Sequence, residues 1–139
     1  MKMQKIMMLA GVAGLLAACG GANKIVEPSN LNEQRAFFDF DSSIIREDAQ
    51  NNLLGQSLYM KHHPDTKIQI AGNCDERGTT EYNLGLGARR ANAAKAVMVK
   101  DGIEAKRIST ISYGKERPWK LGSGESVWGK NRNATTTVK

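Results

Sequence analysis

The spacing of apolar residues along this chain predicts an α/β sandwich of the α+β type, a mixed four-stranded sheet with two main helices packed on one face. Three observations predict it. Short alternating runs at 36–41 and 67–72 read as strands, and each is followed by a stretch of helical periodicity. The second helical stretch carries a narrow stripe of small residues, which suits close packing on a sheet. Two further β-prone runs, 107–113 and 134–138, close the chain. The order is β-α-β-α-β-β, and strands separated by helices need crossover connections.

At 139 residues with 40% hydrophobic and 24% charged residues, the chain has room for one globular domain and a terminal appendage. The appendage comes first. Lys2 and Lys5 precede an apolar run from Ile6 to Ala18, shorter than the ~20 residues a membrane-spanning helix needs. A basic start, a short apolar middle and small residues at its end make 1–18 a secretory signal peptide. Leu16-Ala17-Ala18-Cys19 resembles the bacterial lipobox, in which the Cys is acylated and becomes the mature first residue. A single acyl chain anchors only marginally, so a multiply acylated Cys19 is expected. Gly20, in place of an Asp, favours the outer membrane over inner-membrane retention. Residues 19–34, mixing Gly, Asn, Ser and Pro, read as the lipid-anchored Cys and a flexible tether. Residues 35–139 read as the domain.

Each element of that domain has a local reason. In 36–41, Ala-Phe-Phe-Asp-Phe-Asp alternates apolar and acidic residues. Glu47 and Asp48 favour a helix start by opposing its dipole, and Leu53, Leu54 and Leu58 continue at helical spacing until Pro64. Gly55 in mid-helix costs about 1 kcal/mol relative to Ala and is the one discordant residue there. Ile68 and Ile70 share a face of the next strand. The helix over 81–100 is expected to bury Leu84, Ala88, Ala91, Ala94 and Met98, and Asp101-Gly102 stops it. A short helical turn is expected at 125–131 between the last two strands.

Composition and motifs exclude several classes. The net charge of +6 falls to +4 from residue 19 onward, a modest excess that suits anionic partners. With no Lys/Arg block of five and few aromatics to stack, no nucleic-acid partner is expected. No nucleophile elbow or phosphate loop is present, and Gly85-Leu86-Gly87 lies inside a helix. The adjacent His62 and His63 lack metal-ligand spacing, so neither metal nor cofactor is expected. If Cys19 carries lipid, Cys74 is a free thiol.

The informative stretch is 72–91, Gly-Asn-Cys-Asp-Glu-Arg-Gly-Thr-Thr-Glu-Tyr-Asn-Leu-Gly-Leu-Gly-Ala-Arg-Arg-Ala. It leaves a strand, turns through a polar loop and enters a helix. Asn83 and Arg90, nearly two helical turns apart, share one edge that faces back toward Asp75. Arg offers a planar fork matched to a carboxylate, while Asp75 or Asp41 can take an ammonium. Spacing leaves two readings open: a clamp for a ligand bearing both groups, or an internal Asp75–Arg90 salt bridge that pins the loop. A hydrolase using Asp41 and Glu76 as acid and base is a rival of another class.

This stretch resembles the signature of the OmpA-like peptidoglycan-binding domain family, where Asp, Asn and Arg-Arg-Ala recur at this spacing. Phe-Phe-Asp-Phe-Asp at 37–41, Ser-Tyr-Gly-Lys-Glu-Arg-Pro at 112–118 and Lys-Asn-Arg at 130–132 match its flanking motifs. The form Asp-Glu-Arg-Gly-Thr and the lipobox are closer to its lipid-anchored branch than to barrel-linked or flagellar-motor relatives. The resemblance implies an OmpA-C-like fold and no enzyme activity. It implies that Asp75 and Arg90 grip the diaminopimelate of the peptidoglycan stem peptide. Phe40 and Asp41 would line the same pocket, with Asn73, Asn83 and Leu86 beside it. It also implies outer-membrane tethering to the wall from the periplasmic side, with TolB and other Tol proteins as partners; a Tol-partner module with little wall binding is the alternative. Two departures stand out: Cys74 where relatives have Thr or Ala, and Asn133 where a second Arg is usual.

Overall fold

The computed structural model describes residues 24–139, so the expected signal peptide and Cys19 lie outside the described residues. The strands are β1 (Arg35–Phe37), β2 (Ile68–Asn73), β3 (Ile108–Gly114) and β4 (Asn133–Val138). The helices are α1 (Glu47–His62), α2 (Thr80–Lys100) and the short α3 (Glu125–Asn131), with a 3-10 turn at Ala105–Arg107. The sheet order is β1-β4-β2-β3, with β2 and β3 parallel and the other pairs antiparallel. It is the mixed four-stranded sheet that periodicity predicts, with α1 and α2 against one face.

The core between sheet and helices holds Phe38, Leu53, Met60, Ile68, Ile70, Ala91, Ala94 and Met98. The last strand is polar in sequence yet central in the sheet. Its buried Thr136 is reconciled by a hydrogen bond to Gln56 Oε1 of α1 at 2.5 Å. Arg107 ties down the end of α1 by donating to the carbonyls of Met60, His63 and Thr66.

Three expectations are corrected. The first strand ends at Phe37 rather than running to Asp41. Phe38 N–H still bonds Arg132 O, but the chain then turns away, with Asp41 at φ 51°. The buried stripe of α2 is rotated from the expected one: Leu84 is 40% exposed, while Asn83, Leu86, Gly87, Arg90, Ala91, Ala94 and Met98 are buried. The cause is a backbone contact. A Cβ at Gly72 would lie 1.7 Å from Gly87 O, so only two glycines let β2 and α2 approach this closely and fix which side of α2 faces the sheet.

The third correction concerns the tether. Its described part is seated on the domain rather than free. Leu31 is 0% exposed within the core, Glu33 N–H bonds Thr136 O, and Asn32 Oδ1 accepts from Val138 N–H. Further out, Glu27 pairs with His62, and Val26 O lies where a Cβ on Gly55 would be, 2.2 Å away. The discordant glycine in α1 therefore has a structural reason: the N-terminal strap crosses the helix there.

Candidate functional site

At the carboxyl end of β2, the loop 74–79 carries the chain into α2. Thr79 caps the helix by accepting Tyr82 N–H, and Asn83 Nδ2 donates back to Arg77 O, which holds the loop against its own helix. Cys74 N–H pairs with Gly114 O of β3. Beside this loop, the turn after β1 brings up Phe40 and Asp41. Between them lies a cavity of about 340 Å³, lined by Phe40, Asp41, Cys74, Asp75, Arg77, Gly78, Tyr82, Asn83, Leu86 and Arg90. That volume suits the end of a small ligand.

Six of the seven site residues expected from sequence meet here: Phe40, Asp41, Asp75, Asn83, Leu86 and Arg90. Asn73 does not. Its side chain turns to the open face of the sheet and donates to Asn133 Oδ1 at 2.9 Å, so only its carbonyl serves the site.

Among the described residues Arg90 is the largest fully buried side chain, 0% exposed. Its Nε, Nη1 and Nη2 donate to the carbonyls of Ser42, Asn73 and Asp39 at 2.8, 2.9 and 2.9 Å. One guanidinium thus joins α2, β2 and the turn after β1. Burial pushes its pKa down from the usual arginine value, yet a guanidinium stays charged in proteins. Two of its five N–H donors are not taken by these carbonyls.

Asp75 is also buried, and it pairs with other arginines. Arg77 donates to Asp75 Oδ1 from its backbone N–H and its Nε at 3.0 and 3.2 Å, and to Oδ2 from Nη2 at 2.9 Å. Arg132 approaches Oδ2 at 3.5 Å. Burial alone would raise the Asp75 pKa, but the Arg77 and Arg132 contacts outweigh it and hold the carboxyl below its usual range. Arg132 is itself anchored to Glu125 at 2.7 Å and to Phe38 O.

Arg77 and Tyr82 have no periodic signature and sequence reasoning passed over both as site residues. Tyr82 O–H bonds the exposed Asp41 carboxylate, which raises the Tyr82 pKa. Cys74, in the cavity wall, directs its thiol at Asn83 O, 3.3 Å away, and burial pushes its pKa up. Glu76 points away from the cavity. Ser123 Oγ and Trp128 Nε1 donate to its Oε2 at 2.5 and 2.7 Å, holding it low.

Chemically, the cavity wall gathers the carboxylates of Asp41 and Asp75 and the guanidiniums of Arg77 and Arg90, with Asp75 and Arg77 paired directly, beside the apolar Leu86 and Phe40. Fold and cavity together define a two-layer α/β binding domain with a charged pocket at a strand's carboxyl end. The chain belongs to the OmpA family, whose sequence model matches residues 37–132. Among its relatives is the peptidoglycan-associated lipoprotein of Mesorhizobium japonicum, 50% identical over 104 residues, which cover 75% of this chain and 62% of that one. The chain thus spans less than two thirds of that relative's length. The peptidoglycan-associated lipoprotein of Pasteurella multocida is 36% identical over 144 residues, 96% of each chain. The crystal structure of the peptidoglycan-associated lipoprotein from Burkholderia pseudomallei matches with TM-score 0.74 and 39% identity, covering 77% of this chain and 91% of that one. The C-terminal domain of Helicobacter pylori MotB, at 20% identity and TM-score 0.70, shares the fold.

Proposed function

We propose that this chain is a lipid-anchored, non-enzymatic domain that binds peptidoglycan non-covalently and so tethers the outer membrane to the wall. The observation that carries this is the cavity itself: carboxylates and guanidiniums together line a space of about 340 Å³. A diaminopimelate side chain ends in an amino acid centre bearing both an ammonium and a carboxylate. Asp75 and Asp41 suit the ammonium, and the arginines suit the carboxylate.

The direction of chain entry supports a tether. The strap meets the domain at His62 and Val138, the far ends of α1 and β4. The pocket lies at the other end of the sheet, beside Asn73, which pairs with Asn133 at the start of β4. A membrane anchor at Cys19 would therefore leave the pocket facing away from the membrane. Among the described residues no helix is long and apolar enough to cross a membrane. TolB and other Tol proteins are the proposed partners, from the same family resemblance. The hydrolase reading is disfavoured because Glu76 is held ionised by two donors and is a poor proton donor.

The test is co-sedimentation of the full chain, made soluble by Cys19→Ser, with purified diaminopimelate-containing sacculi and no Tol protein present. Binding is expected, together with competition by the stem peptide and loss of binding in Asp75→Ala. Failure of the protein to sediment would sink the wall-binding reading and favour a Tol-partner module. Release of soluble fragments from the sacculi would favour the hydrolase.

A further inference from the structure

Arg77 is held from three sides. Its guanidinium lies 3.9 Å from the Phe40 ring centroid and 4.0 Å from that of Trp128, while Asp75 takes its N–H donors edge-on. Phe40 lines the cavity; Trp128 does not, and stands on α3 behind the arginine. Trp128 is in turn fixed by its Nε1–H bond to Glu76 Oε2, which also accepts from Ser123. Glu76 and Arg77 are neighbours on the loop, so α3 grips the loop twice, once through a carboxylate and once through a stacked cation.

The arrangement bears on how a ligand carboxylate is met. Arg90 is fully buried, with three donors committed to backbone carbonyls. The Arg77 side chain is 34% exposed and is the guanidinium that an incoming ligand reaches more readily. A long arginine on a loop has many rotamers, and freezing it costs entropy on binding unless it is already held. Two aromatic faces and one carboxylate hold it in advance.

We propose that Trp128 is a positioning residue for the pocket: by stacking on Arg77 opposite Phe40 it presets that guanidinium against Asp75 before ligand arrives. The role rests on the wall-binding reading for its ligand, but its effect on the empty site does not.

The experiment uses the full chain with Cys19→Ser and two substitutions. Trp128→Leu removes the ring, and Trp128→Phe keeps a ring but removes the N–H that bonds Glu76. Trp128 is only half-buried, so both are expected to fold; Trp128→Gln gives the same reading if the Leu variant aggregates. The first readout is ligand-free, the Asp75 carboxyl titration followed by NMR. Trp128→Leu is expected to move it upward toward the ordinary carboxylate value because Arg77 is loosened, while Trp128→Phe stays near wild type. Arg132 is untouched in both. The second readout is calorimetric affinity for a diaminopimelate-containing stem peptide, expected to weaken roughly threefold to tenfold in Trp128→Leu and to be restored in Trp128→Phe. An Asp75 titration that does not move in Trp128→Leu overturns the proposal, as does a Phe variant that loses as much as the Leu one. A stem peptide that binds no variant, wild type included, overturns the wall-binding reading, and the Asp75 titration still decides the role of Trp128 in the empty site.

Discussion

Asp75 and Arg90 line one cavity, yet no ion pair or hydrogen bond joins them. Asp75 is taken by Arg77 and Arg132, and Arg90 by the carbonyls of Asp39, Ser42 and Asn73. The internal salt bridge that sequence spacing left open is absent, and each charge is held separately at the cavity wall.

Arg90 consequently carries the architecture as well as the pocket. Arg90→Lys keeps the charge but replaces a planar fork by a single ammonium, leaving one or two buried carbonyls unmet. An unmet buried polar group costs about 1–3 kcal/mol, so the variant is expected to lose about 3 kcal/mol by urea denaturation. A loss within error of zero would show that the three carbonyl bonds contribute little.

Acid should weaken the domain through Asp75. Its folded pKa lies below its unfolded value of about 3.9. The stabilisation is therefore complete above that value and is lost as pH falls through the folded pKa. Denaturation series from about pH 5 down to about pH 2 should show wild type losing stability more steeply than Asp75→Asn. Parallel curves would assign acid sensitivity to other carboxyls.

The Gly72–Gly87 contact should tolerate no methyl group. Gly72→Ala drives a Cβ into the Gly87 carbonyl, a backbone atom with no rotamer to yield. Overpacking of this kind costs about 1–3 kcal/mol or more. The expected outcome is a loss near the top of that range, with stem-peptide affinity reduced because α2 carries Asn83, Leu86 and Arg90. A variant as stable as wild type would mean that α2 slides without cost.

Gly55 reports on the strap. Gly55→Val places a side chain where Val26 O lies, so the outer strap is expected to lift while Leu31 stays in the core. Amide exchange should rise over residues 24–30 and remain slow at Leu53 and Met60. Unchanged exchange in the strap would contradict the docking.

The sequence made the element order legible because Ile68 and Ile70 alternate and α1 and α2 keep helical spacing over many residues. It misplaced the α2 stripe because Leu84 and Leu86 are equally apolar, and the choice between them is made by a glycine contact distant in sequence. Leu31 was missed because a lone apolar residue among Asn, Ser and Pro has no period. Within the site, six residues were legible from the motif's resemblance to a known family. Arg77 and Trp128 were not, since a salt bridge across a two-residue turn and a cation stacked between Phe40 and Trp128 leave no pattern in a linear string.

The docked strap also sets how much slack the molecule has. Free from end to end, residues 20–34 would span about 50 Å at roughly 3.3 Å each. With the strap seated from Val26 onward, seven residue steps from Cys19 remain, a reach of about 23 Å. The exposed Glu27–His62 pair and Val26 would part first under tension, and Leu31 last. On the proposed function, a molecule fixed at both ends would then behave as a short spacer between membrane and wall that lengthens in two stages, first at the outer strap and then at Leu31.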